Sequence, residues 1–281
     1  MITATWGITS LPFHAKHPVL LSQQKEALDI IQIHAQHGGF SVVIGQSGVG
    51  KTRLREHLKA LNNERQYTVV SCSRTLHTYR QIAQQLADEF RLDCTDKTMD
   101  NALIAAAYAQ VKAMKTLYVL IDEAHLMDVN VLRKLRLLFD QFPKNHNLVL
   151  FGQPELMHRL SLSVNQDIKS RITYSTYLKP LNDDDMQTFI IDQLTHAKMG
   201  INTFTEDAMA LIIRTVEGNL RLCRNLCLAA LTQAARDTQK NVTTTHVNHA
   251  LIQPHWRSVE QLLTQQPTTE KWTTIVSINH R

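Results

Sequence analysis

A short apolar run at residues 40–44 passes through Gly45-Gln46-Ser47-Gly48-Val49-Gly50-Lys51-Thr52 into a helical pattern over residues 52–61. A G-x-x-x-x-G-K-[ST] loop between a strand and a helix leaves few folds open, because each residue type answers to a phosphate. Gly48 and Gly50 let the backbone curl so that its N–H groups turn inward, and the helix N-terminus adds positive potential. Lys51 is spaced to reach the β- and γ-phosphates of a nucleotide and the Thr52 hydroxyl to ligate Mg²⁺. Without Lys51 and Thr52 the same glycines would read as an ordinary strand-to-helix turn.

Further β-branched runs lie at residues 67–72, 117–121, 148–151 and 172–178. They alternate with helical patterns at 22–37, 52–61, 78–90, 99–114 and 129–139. That order predicts an α/β fold built of βαβ units with a largely parallel sheet. Most runs are nearly continuous in apolar residues, as strands flanked by helices on both faces require, whereas 172–178 is more polar and should be less buried. After Pro180 the strand signals stop, and Asn182, Thr205, Asn219 and Thr243 are suited to cap successive helices. The expected organisation is an α/β nucleotide-binding domain over 1–180, a small helical lid over 181–253, and a Thr- and Gln-rich C-terminal tail over 254–281.

Nucleotide chemistry needs a carboxylate on the metal side and a group that acts on water. The run Leu117-Tyr118-Val119-Leu120-Ile121-Asp122-Glu123 supplies both at the end of an apolar strand. Asp122 is suited to hold Mg²⁺, directly or through water, and Glu123 to activate the attacking water. The other such pair, Asp88-Glu89, follows Gln84-Gln85-Leu86-Ala87 in a helical pattern and reads as a solvated face. Cys223 and Cys227 lie one helical turn apart without a ligand cluster beside them and read as buried thiols, and His246 and His249 as surface or capping histidines. Four cysteines without a disulfide framework fit a reducing compartment. No run approaches a membrane span and no targeting pattern opens the sequence, so the expectation is a cytoplasmic protein with no membrane partner. A net charge of +5, from 30 basic and 25 acidic residues, permits a polyanionic partner but equally describes a solvated basic surface.

The order of these motifs over residues 6–252 resembles the AAA+ ATPases, whose fold is a P-loop NTPase core, a parallel sheet flanked by helices, followed by a helical lid. Trp6-Gly7-Ile8 with Leu11-Pro12-Phe13, Ile121-Asp122-Glu123-Ala124-His125, Leu148-Val149-Leu150-Phe151-Gly152-Gln153-Pro154-Glu155-Leu156 and Leu178-Lys179-Pro180-Leu181 are similar to the ExeA-type ATPases and the related TnsC, TniB and MuB transposition ATPases. The resemblance implies ATP and Mg²⁺ as cofactors. It implies that Gln153 is the sensor-1 residue near the γ-phosphate. Arg171 resembles the arginine finger that reaches a neighbouring subunit's nucleotide, with Lys169 and Arg159 as rivals. Arg221 in Gly218-Asn219-Leu220-Arg221 resembles the sensor-2 arginine, with Arg224 as the alternative. Leu220 stands where the family pattern often has proline.

The same resemblance implies a homo-oligomer, ring or helical filament, that assembles on double-stranded DNA with ATP bound. Arg74, Arg80, Lys97, Lys112 and Lys115 are the candidate contacts to the DNA backbone. The function expected on this basis is regulation of DNA transposition, in which the assembly recruits or activates a transposase, with a target-selection protein as a further partner. Two alternatives stay open: an ExeA-like ATPase of envelope secretion, and a replication-initiator or helicase-loader ATPase. ExeA-type proteins usually continue into a membrane span and a wall-binding domain, and the sequence in hand has neither, which favours the DNA regulator at this stage. A replication initiator would be supported by a winged-helix domain after the lid, for which residues 254–281 look too short.

Overall fold

Five segments pair side by side as β1 (Gly39–Ile44), β2 (Tyr67–Cys72), β3 (Thr116–Ile121), β4 (His146–Gly152) and β5 (Tyr174–Tyr177). In the computed structural model, which describes residues 1–14, 20–63, 65–72 and 78–256, they form one sheet in the order β2-β3-β4-β1-β5. Every pairing is parallel. Parallel neighbours need crossovers long enough to hold a helix. The helices in chain order are α1 (Ile2–Trp6), α2 (Ser22–Ala35), α3 (Lys51–Ala60), α4 (Tyr79–Glu89), α5 (Met99–Lys112), α6 (Val129–Phe139), α7 (Pro154–Leu160), α8 (Gln166–Lys169), α9 (Asp183–His196), α10 (Glu206–Val216), α11 (Leu220–Arg236) and α12 (Thr244–Leu251). Among the described residues no helix is long and apolar enough to cross a membrane.

The chain divides into two compact units. The larger takes the described part of Ala15–Gln193 together with Val216–Leu222. Alternate residues of its strands point to opposite faces, so each face carries its own core. Val42, Val119, Leu148 and Leu150 pack with Leu86, Leu103 and Leu135 on one side. Val43, Tyr118, Leu120, Val149 and Phe151 pack with Ile31, Leu54 and Leu58 on the other. The edge strand β5 alternates between half-buried and exposed, in keeping with its polar sequence. It begins at Tyr174 and not at 172, because Ile172 N–H still bonds back to Lys169 in the turn after α8.

The smaller unit takes Met1–His14, Leu194–Thr215 and the described part of Cys223–Arg281. Helix α1 carries no signal in the sequence; within this unit the Trp6 indole N–H donates to the Lys240 carbonyl at 2.9 Å. A parallel bridge joins Phe204 to Val242, so among the described residues sheet-type pairing recurs beyond Pro180 as an isolated bridge and not as a strand. Thr243 caps α12 with help from His246, whose Nδ1 accepts the Thr243 N–H at 3.0 Å. His246 is buried and His249 exposed, so one caps and the other lies at the surface. Cys223 and Cys227 are both buried, with sulfurs 4.0 Å apart, and burial pushes the Cys227 thiol well above its ordinary value.

Candidate functional site

The loop that follows β1 emerges at the C-terminal edge of the sheet, where Gly45 N–H donates to the Gly152 carbonyl at the end of β4 (3.2 Å). From residue 46 to residue 52 the backbone N–H groups donate to no protein acceptor among the described residues. Unspent amides at the start of α3 are what an anion cradle requires. Gly48 and Gly50 hold φ of 89° and 106°. A Cβ would also lie 2.1 Å from the Asn219 side-chain oxygen at Gly48 and 2.2 Å from the Gln24 amide nitrogen at Gly50. Glycine is therefore demanded twice, by the dihedral and by the packing behind the loop. Lys51, the first residue of α3, is 9% exposed and donates to the carbonyls of Gly45 (2.6 Å) and Gln46 (2.9 Å). Burial lowers its pKa, and the negative charges of Glu123 and Asp122 oppose that shift. Thr52 is exposed beside it.

Strand β4 lies between β1 and β3, so the ends of all three bring Gly45, Gln153 and the Asp122-Glu123 pair to one edge. Ligand sites of open parallel sheets form at that edge. Asp122 is bonded at both oxygens: Oδ1 accepts the Glu123 N–H at 3.0 Å and Oδ2 accepts from the guanidinium of Arg55. Arg55, one turn along α3 from Lys51, is 8% exposed and also donates to Glu56 at 3.0 Å. Glu123 has φ of 53°, a left-handed conformation that a non-glycine residue adopts only where its surroundings enforce it. Those surroundings include Arg159, which donates to the carbonyls of Met127 (3.0 Å) and His125 and braces the turn at Ala124–Leu126. The His125 ring lies between Glu123 and Gln153, with Nε2 3.5 Å from Glu123 Oε2 and 3.1 Å from Gln153 Nε2.

On its other flank the loop meets Val216–Leu222 of the same unit. Asn219 donates to the Ser47 carbonyl at 2.8 Å and Leu220 N–H to the Gly48 carbonyl at 3.0 Å. Arg221 Nη1 donates to Ser47 Oγ at 2.9 Å. Asn219 Oδ1 accepts the N–H groups of Arg221 and Leu222, so one residue both starts α11 and ties it to the loop.

Arg171 is at the opposite edge. It precedes β5, and β5 pairs in parallel with β1 from Ser41 to Ile44. The six residues of β1, at roughly 3.3 Å each, separate Arg171 from its own loop by about 20 Å. Its side chain is 58% exposed, and Nε lies 3.7 Å from Asp140 Oδ2. It lines a cavity of about 320 Å³ with Arg136, Asp140, Lys144 and His146. Lys169 is exposed nearby, whereas Arg159 is committed to its own chain's carbonyls.

The candidate DNA contacts separate into pairs. Arg80 and Lys97 precede or open the N-terminal ends of α4 and α5, and Arg80 is paired with Asp96 at 2.6 Å. Lys112 and Lys115 lie at the other end of α5, about 21 Å away at 1.5 Å per residue over its 14 residues. Arg74 lies outside the described residues.

The residues present fit a nucleotide with a hard cation. Thr52 offers a hydroxyl and Asp122 a carboxylate, and Mg²⁺ characteristically takes one or two protein oxygens and completes its shell from phosphate and water. Among the described residues no cluster of three His, Cys, Asp or Glu side chains forms an all-protein metal site. Arg55, Gln24 and His125 were not assigned a role from the sequence, and Asn219 was read there only as a helix cap. His125 had a local signal, its adjacency to the Asp122-Glu123 pair.

Residues 33–160 match the model of a family described as an AAA domain. General secretion pathway protein A of Aeromonas hydrophila is 30% identical over 256 residues, 86% of this chain and 46% of that protein. The chain thus spans less than half the length of that relative. Cdc6p from Pyrobaculum aerophilum aligns over 94% of this chain and 74% of its own, with a TM-score of 0.70 and 14% identity. Drosophila ORC bound to DNA aligns over 93% and 66%, with a TM-score of 0.63 and 20% identity. At such identities the structural likeness shows a shared fold.

Proposed function

We propose that this protein, a member of the AAA+ superfamily and an ATP-hydrolysing enzyme with an α/β P-loop core, uses its nucleotide as the switch of a homo-oligomer that acts on a second macromolecule. The loop amides and Lys51 take the phosphates. Thr52 and Asp122 would hold Mg²⁺, which neutralises charge on the β- and γ-phosphates. Glu123 accepts a proton from the attacking water, Gln153 orients that water beside the γ-phosphate, and Arg221 senses the γ-phosphate in cis through the Ser47 side of the loop. Arg171 supplies positive charge to a neighbouring protomer's site. The observation that carries the reading is the convergence of Lys51, Asp122, Glu123, Gln153 and Arg221 around one loop at one edge of the sheet.

For the process served, an ExeA-like or initiator- and loader-like regulatory ATPase has the better support. The Aeromonas relative favours the first and the likeness to Cdc6p and ORC the second. DNA is the partner to try first, in duplex form, since the Drosophila ORC structure is of a complex bound to DNA. Recruitment of a transposase is the narrower reading and rests on the short motifs alone. Residues 181–253 would act as the lid.

The test compares ATP binding and turnover, with and without duplex DNA, in three proteins. Lys51→Ala should lose productive ATP binding. Glu123→Gln, which keeps size and hydrogen bonding but not basicity, should bind ATP and turn it over at least about a hundredfold more slowly than wild type. Equal affinity and turnover in all three would end the site assignment.

A further inference from the structure

His125 stands between the two side chains assigned above to the attacking water. Its side chain is 10% exposed, Nε2 faces both Glu123 and Gln153, and Nδ1 is buried without a hydrogen-bond partner. The His125 carbonyl accepts from Arg159, which ties the backbone at this point.

A neutral imidazole has one donor and one acceptor. With the proton on Nδ1, Nε2 accepts the Gln153 amide N–H and offers nothing to the Glu123 carboxylate. That tautomer buries an N–H with no acceptor, an unfavourable arrangement that persists only while Gln153 occupies Nε2. When the Gln153 amide turns to a γ-phosphate, Nε2 is released. The ring then loses its Nδ1 proton to water and takes one from water at Nε2, with no net change of charge, and donates to Glu123 Oε2.

We infer that His125 is a positioning residue for hydrolysis, a relay through one nitrogen that fixes the Glu123 carboxylate only once Gln153 has engaged the nucleotide. This rests on the reading of Glu123 as the base and Gln153 as the γ-phosphate contact. It adds a reason for the base to remain loosely held in a protomer without ATP: Glu123 is 42% exposed, and among the described residues its carboxylate accepts no hydrogen bond within 3.5 Å beyond the approach of this ring.

Two measurements test it. Imidazole ¹⁵N shifts of His125 should report the proton on Nδ1 in nucleotide-free protein and on Nε2 with a slowly hydrolysed ATP analogue and Mg²⁺; the same tautomer in both states overturns the relay. In kinetics, His125→Ala should lower kcat roughly tenfold, the worth of one hydrogen bond to a charged group, with KM and nucleotide affinity unchanged. His125→Gln should recover part of the loss. The double variant with Gln153→Ala should be no slower than the slower single variant, because both substitutions break one relay. Wild-type turnover in His125→Ala, or losses that multiply, would overturn the assignment. Undiminished turnover of Glu123→Gln in the same series would instead remove the base assignment beneath it.

Discussion

Arg55 and Asp122 form an ion pair whose side chains are only 10% and 16% exposed, joining the first turns of α3 to the end of β3. A carboxylate this enclosed needs a cation, and in this structure the protein supplies its own. Arg55→Met leaves the charge of Asp122 uncompensated, so the nucleotide-free protein should lose about 3 kcal/mol of stability, read as a lower Tm. Arg55→Lys should fall between the two. ATP with Mg²⁺ should return more of the lost Tm to Arg55→Met than it adds to wild type, since a divalent cation beside Asp122 replaces the missing charge. An unchanged Tm in Arg55→Met would show the pair to be dispensable.

Arg171 lies too far from its own loop to act there, so its effect should cross a protomer boundary. Arg171→Ala should lower kcat on the order of 10³-fold while leaving ATP binding intact. Mixing it with Glu123→Gln protein should restore part of the activity, because some interfaces then join an intact base to an intact arginine. No recovery at any ratio, with co-assembly demonstrated, would rule Arg171 out.

Duplex binding should weaken steeply with salt, as phosphate contacts release counterions. Replacing a pair of genuine contacts by alanine should lower the log–log slope by about two units. The pairs Arg80 with Lys97 and Lys112 with Lys115 stand at opposite ends of α5, so the two double variants report separately on which end meets DNA. Arg80 should contribute less than Lys97, because Asp96 already claims its guanidinium. Absence of duplex binding at low salt with ATP analogue, ADP and no nucleotide would exclude the DNA reading.

Stability should also fall in mild acid through His146. Its ring is 7% exposed against Phe139 and Phe142, and Nδ1 donates to the Pro143 carbonyl at 2.6 Å. Burial lowers its pKa below 6.5, a shift that the Pro143 bond and the Asp140 charge oppose. The folded state then holds the ring neutral while the unfolded chain protonates it. Above pH 6.5 this costs nothing, and below it stability declines until the folded pKa is reached. His146→Gln should therefore lose less Tm than wild type between about pH 7.5 and about pH 5.5. Parallel losses would refute the assignment.

What was legible in the sequence was what local chemistry dictates. The loop 45–52 and the Asp122-Glu123 pair each carry their meaning in adjacent residues, and the strands announced themselves as apolar runs because both faces of the sheet are covered. Helix α7 was missed although Pro154 at its first position is a start signal; at seven residues it has too little periodicity to stand out. Arg55 was passed over because a charged residue one turn into a helix reads as solvated, and only the fold brings it to Asp122, 67 positions away. Asn219 read as a helix cap. Its second task, holding Ser47, depends on a contact across 172 positions that no pattern encodes.

The length of β1 has a consequence for assembly. On the role proposed for Arg171, a protomer that carries its phosphate loop at one edge of the sheet and that arginine at the other does not complete its own site, so working sites would be counted by junctions and not by chains. An open file of n protomers has n − 1 junctions and a closed circle has n. Specific activity per chain should then climb toward a plateau as a filament lengthens, and jump to that plateau the moment a ring shuts, so a rate measured against assembly size distinguishes the two shapes without an image of either.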